Sequence, residues 1–600
     1  MQKFIEILKA KGLLRIIGEP VSTDLEIAHL SYIEVKKNGS KALLFTHPVD
    51  ERGRELPPLL TNLYGSKAAL ELALGRSADE IASEIERLTK PKKPRSFSEK
   101  IDFFKYLLNL RSIFPRRLGT RGQCQEIEMD SNLNNLPILK TWEGDGGKFI
   151  TMGQIYTRSL DGEHQNLGMY RLQVHSENEL GMHWQIHKDA AGFFEEYRRA
   201  NKRMPVTVGI GGDPLYIWCG QAPLPKNVFE LMLYGFIKKT PAKLVKSLTN
   251  DIYVPYDLDY VIEGYVDPAE LRAEGPFGDH TGFYTPIEPF PVMHVTKITR
   301  KKDAIFSATV VGKPPLEDKY MGGATERIFL PLLRTTAPEL IDYKMPENGV
   351  FHNLILAKFR AQYPAHAKQL MHAFWGVGQM SFVKHAIFVP ENAPSLSDFV
   401  ALGEFVLNRF GAGSMLVSEG VCDQLDHASP NSCFGGKLGI DASEDHSTSA
   451  PILLGDDNLT AKLKELAPEI LEAKQYFTNT KNPICVVRVN KTRPIREFAF
   501  KFESLAPRLR IVIFVDKDAR ANNPYMLVWR VTNNIDAKRD ISVLNSNLII
   551  IDATAKDEKE GYTRGWPKAT DCSPGVVSNL INRGLVKDDP ALFEKYEIFC

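Results

Sequence analysis

The first residues, MQKFIEILKAKGLLRII, set Phe4, Ile5, Ile7, Leu8 and Leu13 among Lys and Glu. That interleaving predicts an amphipathic helix packed on a core, without the unbroken apolar stretch of a signal peptide. As far as residue 115, helical periodicity mixes with short β-rich pieces such as Ala42-Leu43-Leu44-Phe45, an α/β pattern. The charged, proline-marked stretch KPKKPRSFSEK at 90–100 reads as a linker or exposed loop. From 116 to 320 the runs become short and alternating: FITMGQIYT, LGMYRLQV, MPVTVGIG, YVIEGYV and FPVMHVTKIT. They are rich in β-branched and aromatic residues and divided by Gly, Pro, Asp and Asn. This predicts a β-barrel or sandwich, interrupted by one helix at 227–236. Beyond 320, NLILAKF, the helical AHAKQLMHAFWG, KHAIFVP and a helix at 397–410 follow one another as the βαβ units of a parallel sheet do.

A weak repeat runs through the last part of the chain. AIFVP at 386–390 returns as VIFVD at 512–516, and GIDAS at 439–443 as IIDAT at 550–554. The second copy is shorter by roughly the length of the HASPNSCFGGK region. It is expected to be a degenerate α/β unit serving packing or assembly. The 600 residues exceed what one core can hold, and the expected divisions are 1–115, 116–320, 321–480 and 481–600.

Charge narrows the function. Lys plus Arg is 75 against 74 for Asp plus Glu, so no global field draws the chain to nucleic acid or anionic lipid. No run reaches the ~18 apolar residues that span a bilayer. Seven scattered cysteines without a CxxC pair argue against a disulfide framework or thiolate zinc site, and the expected setting is the cytoplasm.

The densest chemistry lies in EGYVDPAELRAEGPFGDHTGFY, 263–284. Glu274 and Asp279 are held in a Gly-Pro-Phe-Gly turn, and two acids held close are expected to raise one pKa and make a proton donor. Asn166 and Arg171, in NLGMYR, offer an amide oxygen for a hard cation and a guanidinium for a carboxylate. Five positions apart, they face opposite ways on a regular strand, so Gly168 is expected to mark a bulge or kink. In GMHWQIHKD, His183 and His187 stand at i and i+4, a spacing that puts two imidazoles on one helix face; no HExxH pattern accompanies them. Glu230 lies amid Phe229, Leu231, Met232 and Leu233, where a charge on an apolar face needs a partner or a metal. Ser432-Cys-Phe-Gly-Gly-Lys437 could cradle a phosphate but lacks the GxxxxGK[ST] spacing.

Together NLGMYR, MHWQIH, PLPKNVFELMLYG, SLTNDIYVPYDLDYVIEGYV, EGPFGDHTGFY, AQYPAHAK and GGKLGIDAS resemble the UbiD family of prenylated-FMN-dependent decarboxylases over roughly 1–450. The resemblance implies a multidomain α/β and β fold. Its central split β-barrel, flavin-reductase-like, carries cofactor and catalysis between an N-terminal and a C-terminal α/β domain. It implies Mn²⁺ or Mg²⁺ held by Asn166, His187 and Glu230, often with K⁺ nearby. His187 matches the family spacing and His183 does not. Met169, Tyr170, Arg171 and Lys437 join the cofactor site, Lys437 at its phosphate. Arg171, Glu274 and Asp279 match the catalytic network, with Asp279 the acid that protonates carbon. The family also implies an aromatic acid substrate, a flavin prenyltransferase as cofactor supplier and a homo-oligomer.

The extra C-terminal unit resembles long members assigned to menaquinone synthesis by the futalosine route. That favours a 1,4-dihydroxy-naphthoate derivative, with peripheral membrane contact if the substrate is prenylated. Alternatives are polyprenyl-4-hydroxybenzoate, a small phenolic acid, or a flavin-binding or assembly protein without turnover.

Overall fold

A computed structural model of the chain describes residues 1–90 and 95–599. Two compact units emerge: one holds Met1–Ile328 with Ala569–Leu592 and Phe599, the other Phe329–Lys568 with Phe593–Ile598. The expected boundaries at 116 and 481 therefore fall inside units. Of the stretch expected as a linker, 91–94 lie outside the described residues. Its end is already helical: Phe97–Asn109 starts within it, with Ser96 Oγ accepting from Glu99 N at 3.1 Å and Glu99 Oε2 from Ser96 N at 3.3 Å. That reciprocal pair is a capping box, which stops the chain fraying at this point.

The first unit opens with the expected helix, Gln2–Ala10, burying Phe4, Ile5 and Leu8. A small sheet follows in the order Leu14–Ile17, Ala42–Phe45, Leu59–Thr61, Phe306–Ser307. The last strand joins Leu59–Thr61 in parallel after the chain has completed the barrel, so the N-terminal lobe needs a piece from beyond residue 300.

The barrel is built from β1 (Phe149–Arg158), β2 (Gln165–Ser176), β3 (Glu179–Met182), β4 (Met204–Ile210), β5 (Tyr260–Glu274) and β6 (Glu288–Arg300). All pair antiparallel in the order β3-β2-β1-β4-β5-β6, and β3 also pairs with β6, closing the ring. Closure removes the free edges that an open sheet must protect. Where the pattern predicts one helix, three insert: α1 (Asp189–Arg199) after β3, then the short Pro214–Cys219 and α2 (Leu231–Lys238) after β4. The helix expected from 227 starts later, because Asn227 takes a left-handed φ of 65°, which breaks the helical run.

Gly168 is not a bulge. The β1–β2 register is regular from Asn166 to Tyr170, and the slip lies on β1 between Ile150 and Gly153. Glycine is needed at 168 because the Tyr170 ring lies over it; a Cβ there would come within 2.2 Å of the ring.

The second unit contains two five-stranded sheets of the same topology. The first runs Leu340–Lys344, Leu354–Phe359, His385–Pro390, Phe434–Asp441, Met415–Val421; the second runs Ile470–Tyr476, Ile484–Val489, Ile511–Asp516, Ile549–Asp552, Ile541–Val543. In each, the two inner neighbouring pairs are parallel and the two outer ones antiparallel. The repeated AIFVP/VIFVD and GIDAS/IIDAT strings occupy equivalent strands. The second copy opens at Ile470, before the expected 481, and 569–592 belongs to the other unit. Among the described residues no disulfide forms and no helix is long and apolar enough to cross a membrane.

At Gly264 on β5 a Cβ would lie 2.1 Å from the carbonyl oxygen of His294 on β6. Gly264→Ala is therefore expected to destabilise by about 2 kcal/mol, since main chain must move. Gly192→Ala on α1, where a Cβ meets nothing within 4 Å, should instead be neutral or stabilising by about 0.5 kcal/mol. Thermal melts of the two variants check the contrast.

Candidate active site

β2 carries Arg171 and β5 ends on Glu274, so the barrel ladder brings residues about a hundred positions apart together. Arg171 Nε donates to Glu274 Oε1 at 3.1 Å, Nη2 to Thr285 Oγ1 at 3.1 Å, and Nη1 to Asp279 Oδ2. The guanidinium lies 4.9 Å from the centre of the Phe277 ring. All three charged groups are buried, Glu274 at 1% exposure. His183 adds a fourth member: its Nδ1 stands 2.6 Å from Glu274 Oε2. A carboxylate only accepts, so Nδ1 carries the hydrogen and Nε2 is left as a buried acceptor without a partner.

The turn is held from behind. After Glu274 the chain passes through Gly275, at φ 101°, and a cis Gly275–Pro276 bond. Gly275 N donates to Gln173 Oε1 at 2.8 Å, Gly146 N to the Pro276 carbonyl at 2.8 Å, and Gly278 N to Asp145 Oδ1 at 2.8 Å. Gly278 is pressed against Trp142, where a Cβ would come to 2.2 Å. Asp279 Oδ1 accepts from His280 N at 2.7 Å.

The electrostatics correct the sequence expectation. Burial pushes both carboxyls up, but Arg171 reverses this. Helped by His183, it holds Glu274 below its ordinary value; helped by His280, it holds Asp279 far below. Neither acid is raised, because a cation lies between them. His183 is lowered, first by burial and then by Arg171, and stays neutral.

A second cluster sits on the same strand. Asn166 Nδ2 donates to Glu230 Oε1 at 2.9 Å, Leu167 N to Glu230 Oε2 at 2.6 Å, and Thr157 Oγ1 to Asn166 Oδ1 at 3.4 Å. Glu230 sits at the N-terminal end of α2, not on its apolar face. Burial drives its carboxyl up to about 8, and Asp189 at the start of α1 adds to the shift. A buried carboxyl raised by desolvation, beside an amide oxygen, is a donor set that suits a hard divalent cation. His187 lies in the exposed turn leading into α1 and Asp189; residues 183–187 are not helical, so the i, i+4 face does not exist. Asn166 and Glu230 are thus in contact, and from the segment after His187 Asp189 acts on Glu230 through its charge.

Met169 and Tyr170 are half-buried, and Met169 N donates to the Gly220 carbonyl at 3.0 Å. Next to Gly220, Gln221 Nε2 is buried without a partner, as is Trp184 Nε1 beside His183. Such orphaned polar atoms suit a site that receives a polar ligand such as a flavin. Lys437, expected at a phosphate, is instead buried in the second unit. Its Nζ donates to the carbonyls of Ser381 at 2.7 Å and Val383 at 2.8 Å, and burial brings its pKa down to about 8. Glu179, Glu270 and His294 also cluster on the barrel, but Arg272 lies 2.7 Å from Glu179 and 3.4 Å from Glu270, supplying the positive charge a cation would bring. Sequence reasoning named His183 only beside His187, not beside Glu274, and missed Thr285, Gln173 and Asp145, which no local pattern marks.

Comparison with known proteins agrees over most of the chain. The 3-octaprenyl-4-hydroxybenzoate carboxy-lyase family matches with its N-terminal domain at 5–89, its Rift-related domain at 116–314, and its C-terminal domain at 319–442 and 457–564. A Helicobacter pylori (strain J99) protein described as uncharacterized is 52% identical over 100% of this chain and 98% of its own length. Among solved structures, the vanillic acid decarboxylase of Sedimentibacter hydroxybenzoicus in closed form has a TM-score of 0.63 at 23% identity, covering 78% of this chain and 98% of its own. An evolved dimeric form of the UbiD-class enzyme HmfF from Pelotomaculum thermopropionicum, in complex with prFMN, has a TM-score of 0.61 at 23% identity, covering 76% of this chain and 97% of its own. These two likenesses show a common fold.

Because Glu274 and Asp279 are depressed in the folded chain, their ionisation stabilises it at pH values above about 4, where the unfolded groups titrate. That contribution is lost as pH falls below this value. Arg171→Gln should cost about 3 kcal/mol at pH 7 by stranding two buried carboxylates. The gap to wild type should narrow between pH 6 and 4 as the acids are protonated. Denaturant titrations across that range test it, and a pH-independent gap would contradict the assigned cluster.

Proposed function

The chain belongs to the UbiD family of carboxy-lyases, and we propose that it removes CO₂ from a hydroxylated aromatic acid bound against Arg171. One observation carries the reading: a buried guanidinium ties together Glu274 and Asp279 of the EGPFGD turn. Its planar fork suits a substrate carboxylate. An anionic substrate brings a further negative charge beside the two acids and makes them bind a proton more readily than in the free protein. Asp279 holds that proton. As the bond to the carboxylate breaks and CO₂ leaves, the proton passes to the ring carbon and a C–H bond replaces C–C. Glu274, fixed by Arg171 and His183, keeps the guanidinium oriented.

Prenylated FMN, when bound, supplies the electron sink that an aromatic carbon needs and no side chain offers. Asn166, His187 and Glu230 would hold Mn²⁺ or Mg²⁺, with K⁺ beside it; the raised carboxyl of Glu230 supports this. We assign the substrate to the 1,4-dihydroxy-naphthoate class of menaquinone synthesis, in a cytoplasmic homo-oligomer supplied by a flavin prenyltransferase. Support for the substrate class comes from the second α/β copy, which the Helicobacter pylori relative, aligned over 100% of this chain, shares.

Protein co-produced with a flavin prenyltransferase and analysed anaerobically by mass spectrometry is expected to release prenylated FMN. It should then decarboxylate a 1,4-dihydroxy-naphthoate in preference to vanillate. Glu274→Gln should keep the cofactor and lose turnover by about 100-fold or more; full turnover would remove Glu274 from the network. His187→Ala and Glu230→Ala should lower bound metal, read by elemental analysis, and unchanged metal would remove them from the site.

A further inference from the structure

The catalytic turn is braced by a segment from the far end of the chain. The family match stops at residue 564, yet Ala569–Leu592 belongs to the first unit. There Ala569 pairs antiparallel with Phe283 as an isolated bridge. Thr570 N donates to the Gly282 carbonyl at 2.8 Å, and Thr570 Oγ1 to the same oxygen at 3.3 Å. Thr570 is fully buried, and its Cγ2 occupies the space a Cβ on Gly278 would enter, at 2.6 Å. Beyond it, Asp571 Oδ1 lies 3.3 Å from Lys313 Nζ, and Ser573 Oγ donates to Glu143 at 2.9 Å. The helix Pro574–Asn582 then anchors the segment: Asn579 Nδ2 donates to Glu26 at 2.9 Å, and Arg583 Nη1 approaches the same carboxylate at 3.1 Å.

The residues so gripped are the ones that set Asp279. Asp279 N donates to the Phe283 carbonyl at 3.1 Å and Gly282 N to the Asp279 carbonyl at 2.9 Å. Asp279, Gly282 and Phe283 therefore form one hydrogen-bonded turn. Its outgoing arm is paired with 569–570 and its incoming arm, at Gly278, packs against the Thr570 methyl. A two-residue strand pairing is weak alone; anchored by the ion pair and the following helix it removes the freedom of a glycine-rich turn.

We propose that residues 569–573 form a positioning strap that holds the Asp279 turn against Arg171, so that this chain's acid is set by a segment lying beyond the residues that the family's domains match. The strap touches no reacting atom. It acts through Gly282 and Phe283 on the placement of Asp279, and so on proton delivery more than on substrate affinity. The kinetic part of this inference rests on the decarboxylase reading; the structural part does not.

The test uses the full-length protein and two substitutions. Thr570→Pro removes the N–H that bonds Gly282; Thr570→Val keeps that N–H and the side-chain bulk. In hydrogen-exchange mass spectrometry, Thr570→Pro should raise exchange in peptides spanning 279–284 by about tenfold or more, with barrel peptides unchanged. Thr570→Val should match wild type. With the cofactor-loaded enzyme and the 1,4-dihydroxy-naphthoate it turns over, kcat should fall about tenfold at nearly constant KM. The alkaline limb of kcat, where Asp279 gives up its proton, should move to higher pH as Asp279 loses its hold on Arg171, and Thr570→Val should keep both at wild-type values. Unchanged exchange at 279–284 in folded Thr570→Pro, or a loss confined to KM, overturns the proposal. If Thr570→Pro disturbs the barrel peptides as well, Asp571→Asn serves instead: faster exchange at 279–284 supports the strap, and wild-type exchange refutes it. Lack of turnover in the wild type, with the exchange result as expected, faults the substrate reading and leaves the strap standing.

Discussion

A single buried guanidinium organises this protein's chemistry. Arg171 lies between Glu274 and Asp279 with almost no water to help pay its desolvation, so the surroundings must supply fixed partners. They do so in layers. Thr285 takes another guanidinium hydrogen, His183 holds the far oxygen of Glu274, and His280 holds the second oxygen of Asp279. Around these, Gln173, Gly146 and Asp145 fix the main chain of the turn, and Trp142 stacks behind it while donating its indole hydrogen to the Val311 carbonyl at 3.0 Å. The same indole meets Tyr32 edge-on at 4.9 Å, which ties the N-terminal lobe to the catalytic turn. A group of two acids and one guanidinium carries a net negative charge, and a site of that kind is poised to take up a proton when an anion arrives.

The barrel explains how two clusters are set with one scaffold. Asn166 and Arg171 lie on β2, whose ladder to β1 is regular from Asn166 to Tyr170 and slips on the β1 side opposite Arg171, so both are carried by one continuous strand and not by a loop. Asn166, at the start of the strand, holds the raised carboxyl of Glu230; Arg171, at its middle, holds the depressed pair. Opposite shifts a few residues apart follow from one difference: Glu230 is desolvated beside neutral donors, whereas Glu274 and Asp279 are desolvated beside a cation.

The second unit repeats a five-stranded sheet with unchanged strand order although its sequence copies agree in only a few positions. Strands buried on both faces need only apolar, β-branched residues, so the pattern persists after specific side chains have drifted. The region between the last two strands differs most. The first copy keeps the long loop through Asp426, His427 and Ser429. There Lys384 Nζ meets Asp426 Oδ1 at 2.7 Å in full burial, and Ser429 N donates to Asp426 Oδ2 at 3.0 Å. The second copy passes from Ile541–Val543 to Ile549–Asp552 by a short turn and has no counterpart to that network.

The sequence by itself determined what depends on local pattern: the first helix, the alternating barrel strands, the βαβ order, the repeat, and the turn that holds Glu274 and Asp279; Arg171 was joined to that turn only through the family resemblance. Period and turn chemistry are written in neighbouring residues. Tertiary structure decided what depends on residues far apart. Placing Arg171 between the two acids turned an expected raised pKa into two lowered ones. Closing the barrel brought His183 to Glu274, and burying Lys437 spent its ammonium on carbonyl oxygens. The return of 569–573 to the turn could not be read from the chain, because a two-residue pairing with a partner almost three hundred positions away leaves no periodic mark. Such contacts are chosen by the enclosing fold, since burial forces each polar group to find a partner wherever the packing places one.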